Sequence, residues 1–176
     1  MNKVIISIFS FLLLGITASA QSTVVHSSVT FKTKNLGIGV DGSVGGLQAT
    51  VHFNANDMTS ASIDASVDVK TLTTDNSLRD EHLKSDEFFD VAHYPKMLLK
   101  SIAIKHRSGN KYTGEFNLTI KNKTKTVEIP FTYDSKGNVG EFSGSFKINR
   151  LDFGVGDSSL TLSNEVDITL SAAFRD

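Results

Sequence analysis

Ser62-Ile63-Asp64-Ala65-Ser66-Val67-Asp68-Val69 alternates polar with apolar at every step, and this period of two decides the fold class. Successive side chains of a strand point to opposite faces, so Ile63, Ala65, Val67 and Val69 form a dry face and their neighbours a wet one. The pattern recurs in both directions along the chain. Towards the N-terminus it appears in Val29 and Phe31, then in Leu47, Ala49, Val51 and Phe53. Towards the C-terminus it appears in Phe116, Leu118 and Ile120, in Val127, Ile129, Phe131 and Tyr133, and in Phe142, Phe146 and Ile148. It closes with Val166, Ile168, Leu170, Ala172 and Phe174. One dry and one wet face per segment is the mark of antiparallel strands, not of a parallel sheet buried on both sides.

The separators are turn-like: Gly45-Gly46, Ser108-Gly109-Asn110, Lys121-Asn122-Lys123 and Ser135-Lys136-Gly137-Asn138. Short loops make consecutive strands pair as hairpins. Only the middle departs from this. Thr74 to Lys84 has Leu78 and Leu83 as its apolar points and polar cap candidates at its start, which predicts a short helix, followed by an irregular loop to Pro95. The prediction is therefore an all-β domain with one short helix and about eight strands. Periodicity alone leaves a sandwich and a closed barrel open. The small residues Ala49, Ala65, Gly144 and Ala172 on the dry faces favour a barrel of about eight strands enclosing an apolar pore, because a filled sandwich core would carry bulk there; the alternative is that they fit close strand crossings.

The ends and the composition bound the setting. Met1-Asn2-Lys3, an apolar run from Val4 to Ile16 and Ala18-Ser19-Ala20 predict a signal peptide over residues 1–20, cleaved before Gln21. The alternative is an uncleaved N-terminal anchor, although the run is short of the roughly 20 residues that span a bilayer. Residues 21–176 then form one domain, periplasmic or secreted. The chain has no cysteine, so disulfides, thiolate-bound metal and a cysteine nucleophile are excluded. Its formal net charge is −1, with no basic block, which argues against nucleic acid as a partner.

Four stretches carry a family resemblance, in order and at compatible spacings. They are His26 to Phe31 with Leu36-Gly37 and Val40-Asp41-Gly42; Arg79 to Asp90 with Pro95; Gly114 to Ile120 with Thr124 to Val127; and Asn149 to Gly154 with Ser163 to Val166. Together they resemble the YceI-like, polyisoprenoid-binding family of secreted bacterial proteins. The resemblance implies an extended, lipocalin-like antiparallel barrel whose apolar pore sheathes the tail of a polyisoprenoid or similar amphiphile, with no catalytic reaction. It departs at Asn35, where the family often has His, and at Val44, where it often has Phe.

The expected function is binding, sequestration or transport of a long-tailed amphiphile such as an isoprenoid quinone or a prenyl phosphate, outside the cytoplasm. Each methylene withdrawn from water is worth about 0.8 kcal/mol, which a pore can recover for an insoluble tail. The pore-lining candidates are the inward alternates Phe31, Leu47, Ala49, Val51, Ile63, Ala65, Val67, Phe116, Leu118, Val127, Ile129, Phe142, Gly144, Phe146, Val166, Ile168 and Leu170. Arg79, His82, Phe88, Phe89, Arg150 and Phe153 are the candidates for head-group contact or for plugging the barrel. Arg79 with Asp80 and Arg150 with Asp152 read as ion pairs or as carbonyl ligands that tie down the helix and a tight turn; the sharper reading gives a guanidinium to the ligand. No cofactor or metal is required, and the expected partners are the lipid, a membrane surface in passing and a second copy as a homodimer. Two rivals stand beside the carrier. One is a packed barrel acting as a stress or interaction protein. The other is a histidine-dependent enzyme using His26, His52, His82, His93 or His106, whose spacing matches no metal or catalytic motif.

Overall fold

In the computed structural model, which describes residues 23–175, eight antiparallel strands close into a barrel. In chain order they are β1 (Thr23–Asn35), β2 (Ile38–Asn54), β3 (Asp57–Thr73), β4 (Lys96–Ser108), β5 (Lys111–Ile120), β6 (Lys123–Lys136), β7 (Val139–Asn149) and β8 (Glu165–Arg175). Each pairs with its sequence neighbour, and β8 returns to β1 through Val29↔Leu170 and Phe31↔Ile168, leaving no free edge. β2 and β3 are the longest strands at 17 residues each, roughly 55 Å at the rise of a strand.

The connections divide the barrel into two ends. Ala55-Asn56, Gly109-Asn110 and Gly137-Asn138 close one end as two-residue turns. The other end carries Leu36-Gly37, Lys121-Asn122 and two long crossings. The first crossing contains helix α1 (Ser77–Lys84). Asn76 caps it by accepting the Arg79 N–H at 3.0 Å, and Ser85 ends it by returning its N–H and hydroxyl to His82 O. The second contains a 3-10 helix, Arg150–Phe153, capped by Asn149 and stopped by Gly154 in the left-handed region.

Two features differ from the sequence expectation. Gly45-Gly46 does not separate strands; it lies within β2 as a bulge against β3, with Gly46 at φ +68 and the Gly45 N–H donated to Thr71 Oγ1 at 2.7 Å. The separator between β1 and β2 is instead Leu36-Gly37. The strand β4 is missing from the alternating set because a register shift between Ser101 and Ala103 breaks its phase. Met97 and Leu99 are half-buried, Ile102 is exposed and Ile104 is buried two positions later, so no single period of two covers the strand.

Candidate functional site

The inward faces of all eight strands surround an apolar cavity of about 240 Å³. Each strand supplies at least one wall residue: Phe31, Ala49, Ala65, Leu99, Leu118, Ile129, Phe146 and Ile168, in chain order. Ala49 stands directly opposite Ala65 across the β2–β3 ladder, so the wall is thinnest where two alanines meet. Phe31 reaches across to β2 and lies flat on Gly42, where any Cβ would collide with its ring.

At the end with three short turns the cavity has an aromatic floor. Phe53 stands edge-on to Tyr112 and Phe142, at centroid distances of 5.1 Å in both cases, and Phe142 stands edge-on to Phe174 at 5.8 Å. Phe131 stacks on Tyr112 at 5.5 Å. These quadrupole-favoured pairs seal this end of the barrel with aromatic rings.

At the other end a polar cleft of about 780 Å³ adjoins the cavity. The two spaces share Phe31, Thr33, Leu83, Phe88 and Leu162, so the cleft is the mouth of the cavity. Arg79, His82, Asp86, Glu87, Lys121 and Asp157 supply the charged and titratable lining, with carboxylates outnumbering the permanent cations.

Two hydrogen-bond networks build this mouth. Arg150 is only 4% exposed and touches the cavity. Its Nε donates to Ser163 O at 3.0 Å, Nη1 to Val155 O at 2.8 Å and Nη2 to Asn164 Oδ1 at 3.0 Å. Burial pushes this guanidinium below the usual arginine range, and the charge of Asp157 opposes that. A planar fork of donors thus gathers the chain from 155 to 164 around one cation. In the second network Arg79 donates from Nε to Thr74 Oγ1 at 2.7 Å and from Nη2 to Thr74 O at 2.8 Å. Asp80 accepts from the Thr74 N–H, the Thr74 hydroxyl and the Thr73 hydroxyl at 2.6–2.8 Å. Burial pushes the Asp80 carboxyl up, but these hydrogen bonds and the charge of Lys84 together hold it below the ordinary carboxylate value.

Arg79 and Arg150 are therefore bound to hydroxyl, amide and main-chain oxygens, not to Asp80 and Asp152 as ion pairs. His82 sits at the rim, with its Nε2 2.7 Å from Glu87 Oε2 and its ring edge-on to Phe88 at 4.9 Å. Phe88 and Phe89 line the cavity at the mouth, whereas Phe153 is buried behind the wall with Leu118, Ile120 and Val155.

Of the lining candidates, Val127 and Gly144 stand outside the cavity. Val127 packs on the cluster around Phe153. Gly144 faces inward but leaves no room: a Cβ there would lie 2.8 Å from Pro130 O and 3.1 Å from the Phe131 Cβ. Its small size serves a close strand approach. The other fifteen candidates line the cavity, as does Ala172. Sequence reasoning missed Val44, Leu72, Met97 and Leu99 on the wall, and Lys121 and Asp157 in the mouth. Ile120 and Ile148 also line the cavity, at the next inward positions of alternating sets already recognised. Among the described residues no cluster of three or more histidines and carboxylates could hold a metal ion.

A family model described as the YceI-like domain matches residues 21–174. A UPF0312 protein of Pseudomonas syringae pv. tomato is 30% identical over 160 residues, covering 85% of this chain and 82% of that one. Among solved structures, Burkholderia cenocepacia BcnA superposes with a TM-score of 0.79 at 27% identity, over 84% of this chain and 95% of that one. A polyisoprenoid binding domain from Saccharophagus degradans, implicated in plant cell wall breakdown, shares the fold at 11% identity, with a TM-score of 0.71 over 88% of this chain and 97% of that one.

Proposed function

The chain belongs to the YceI-like domain family, and from that premise we propose that it binds a long-tailed amphiphile of the polyisoprenoid class, tail inward, and sequesters or carries it outside the cytoplasm. The observation that carries this reading is the cavity itself, walled from all eight strands by aliphatic and aromatic side chains and open at one polar mouth. The likeness to a polyisoprenoid binding domain supports the choice of cargo. An enclosed tail recovers about 0.8 kcal/mol per methylene, so affinity comes from the wall and orientation from the mouth. The free volume of about 240 Å³ lies below the roughly 300–1,000 Å³ of most small-molecule sites. A full-length tail therefore enters by turning lining side chains aside, with the flexible Met97 among them.

The reading is of a carrier and not an enzyme. Binding needs the apolar wall and one or two polar contacts, with no cofactor or metal. Export rests on residues 1–20, the predicted signal peptide, which lie outside the described residues together with the expected cleavage before Gln21. Native mass spectrometry of protein purified from its host tests the proposal. A co-purified adduct of isoprenoid mass is the expected result. A clean apo mass that stays unchanged after incubation with an isoprenoid quinone and with a prenyl phosphate would favour the packed-barrel rival.

A further inference from the structure

The four most exposed large apolar side chains among the described residues, each at least 71% exposed, all belong to the mouth: Leu36, Ile38, Leu78 and Leu160. Single exposed leucines need no explanation, but four gathered at one end do. Leu36, Leu78 and Leu160 are chain neighbours of the cleft-lining residues Asn35, Arg79, Ser159 and Thr161, and Ile38 lies two residues from Val40, which also lines it. Three of them share one small rigid rim, because the Leu36 N–H donates to Thr161 O at 2.9 Å and the Ser163 N–H donates to Lys34 O at 2.8 Å. The floor end offers a direct contrast: its tips are Ala55-Asn56, Gly109-Asn110 and Gly137-Asn138, and none of them carries a large apolar side chain.

Leu36 supplies a second, independent observation. It occupies the first centre of a two-residue turn with φ +53, followed by Gly37 at φ +77. That left-handed geometry suits Asn, Asp or Gly and penalises a leucine. Neither turn preference nor packing accounts for a leucine held there at 73% exposure.

We propose that this rim docks the mouth on a lipid bilayer surface, with Leu36, Ile38, Leu78 and Leu160 entering the interface so that cargo passes between leaflet and cavity without crossing water. The choice of a bilayer rests on the carrier function proposed above, since a polyisoprenoid resides in membranes, and on the continuity of the rim with the cavity mouth. Charge refines the occupant. With Asp86, Glu87 and Asp157 against Arg79 and Lys121 in the cleft, docking depends on apolar insertion and favours a zwitterionic over an anionic surface.

The chain has no tryptophan, so one introduced indole reports its own surroundings. Leu160→Trp at the rim and Asn138→Trp at the floor turn are each titrated with phosphatidylcholine–phosphatidylethanolamine vesicles. Protein expressed from the 176-residue sequence and purified from the soluble fraction is used throughout. The proposal expects a blue shift, and quenching by brominated lipid, for Leu160→Trp alone. It is overturned if neither indole responds, if both respond alike, if the shift requires anionic lipid, or if it grows with protein concentration without vesicles, which would make the occupant a second copy. In a second arm, the triple variant Leu36→Asp, Ile38→Asp, Leu160→Asp should load an isoprenoid quinone from vesicles about tenfold more slowly, yet load the same quinone from a dispersed solution at the wild-type rate. Equal rates from vesicles overturn the docking proposal. Failure of the wild type to load from either source overturns the carrier reading instead, and the indole arm then judges docking alone.

Discussion

The floor and the mouth close the same barrel by opposite means. The floor is sealed by aromatic edges, Phe53 against Tyr112 and Phe142, behind three minimal turns. The mouth is shaped by the second long crossing, whose main-chain oxygens converge on Arg150, and by Thr74, held between Arg79 and Asp80 at the start of the first. Apolar contacts adapt by sliding, while hydrogen bonds to a planar fork do not. The contrast teaches that one end needs only to be shut, whereas the other must hold a defined opening.

The largest expected effect tests the floor. Phe142→Ala removes a ring that touches Phe53, Phe131, Tyr133 and Phe174, and should cost about 3–5 kcal/mol by chemical denaturation. Arg150→Ala should follow at about 2–4 kcal/mol, because Val155 O, Ser163 O and Asn164 Oδ1 lose their donor and only partly rehydrate. Both losses should appear in ligand-free protein. A ligand-free Arg150→Ala protein that melts like the wild type but no longer takes up lipid would instead make Arg150 a head-group residue, and the contrast between the two ends would fail.

Acid sharpens the comparison. Asp80 has its carboxyl held below the ordinary value in the folded state, so its contribution is fully present above about pH 4 and is lost as pH falls through the lowered value. Melting recorded downwards from about pH 5 should show this loss, and Asp80→Asn should flatten the slope. Phe142→Ala should leave the slope unchanged, because the rings it touches, Phe53, Phe131, Tyr133 and Phe174, do not titrate in this range. The smallest effect concerns Leu36. Leu36→Asn relieves the left-handed leucine and should raise stability by about 0.5–1 kcal/mol, measured by the same denaturation.

The division also sets what could be read from sequence. The floor and walls are made of side chains with a period of two, so Phe31, Ala65, Leu118 and Ile168 were legible as lining, whereas closure into a barrel was not in the period itself and followed from the small inward residues and the family resemblance. β4 escaped because its bulge shifts the phase between Ser101 and Ala103, and Gly45-Gly46 misled because a bulge and a turn use the same residue. Gly144 misled for a related reason: a missing side chain signals either free space or a close neighbour, and here the neighbour is Phe131. At the mouth, Arg79 and Arg150 stood out as motif residues, but their partners are mostly main-chain oxygens, which have no letter in the sequence. The role of Asp80 as acceptor for Thr73 and Thr74 was hidden by its adjacency to Arg79, which suggested an ion pair.

The central claim, that the space between floor and mouth is where a tail goes, is tested most directly by filling it. Ala65→Trp puts an indole into the cavity where two alanines face each other. Uptake of an isoprenoid quinone is measured beside the ligand-free melting of the same protein. The account predicts that uptake is abolished while the ligand-free protein melts within a few degrees of the wild type, because the ring occupies free volume. Wild-type uptake accompanied by a destabilisation of about 1–3 kcal/mol would mean that the barrel is packed there and that the lipid binds elsewhere, contradicting the account.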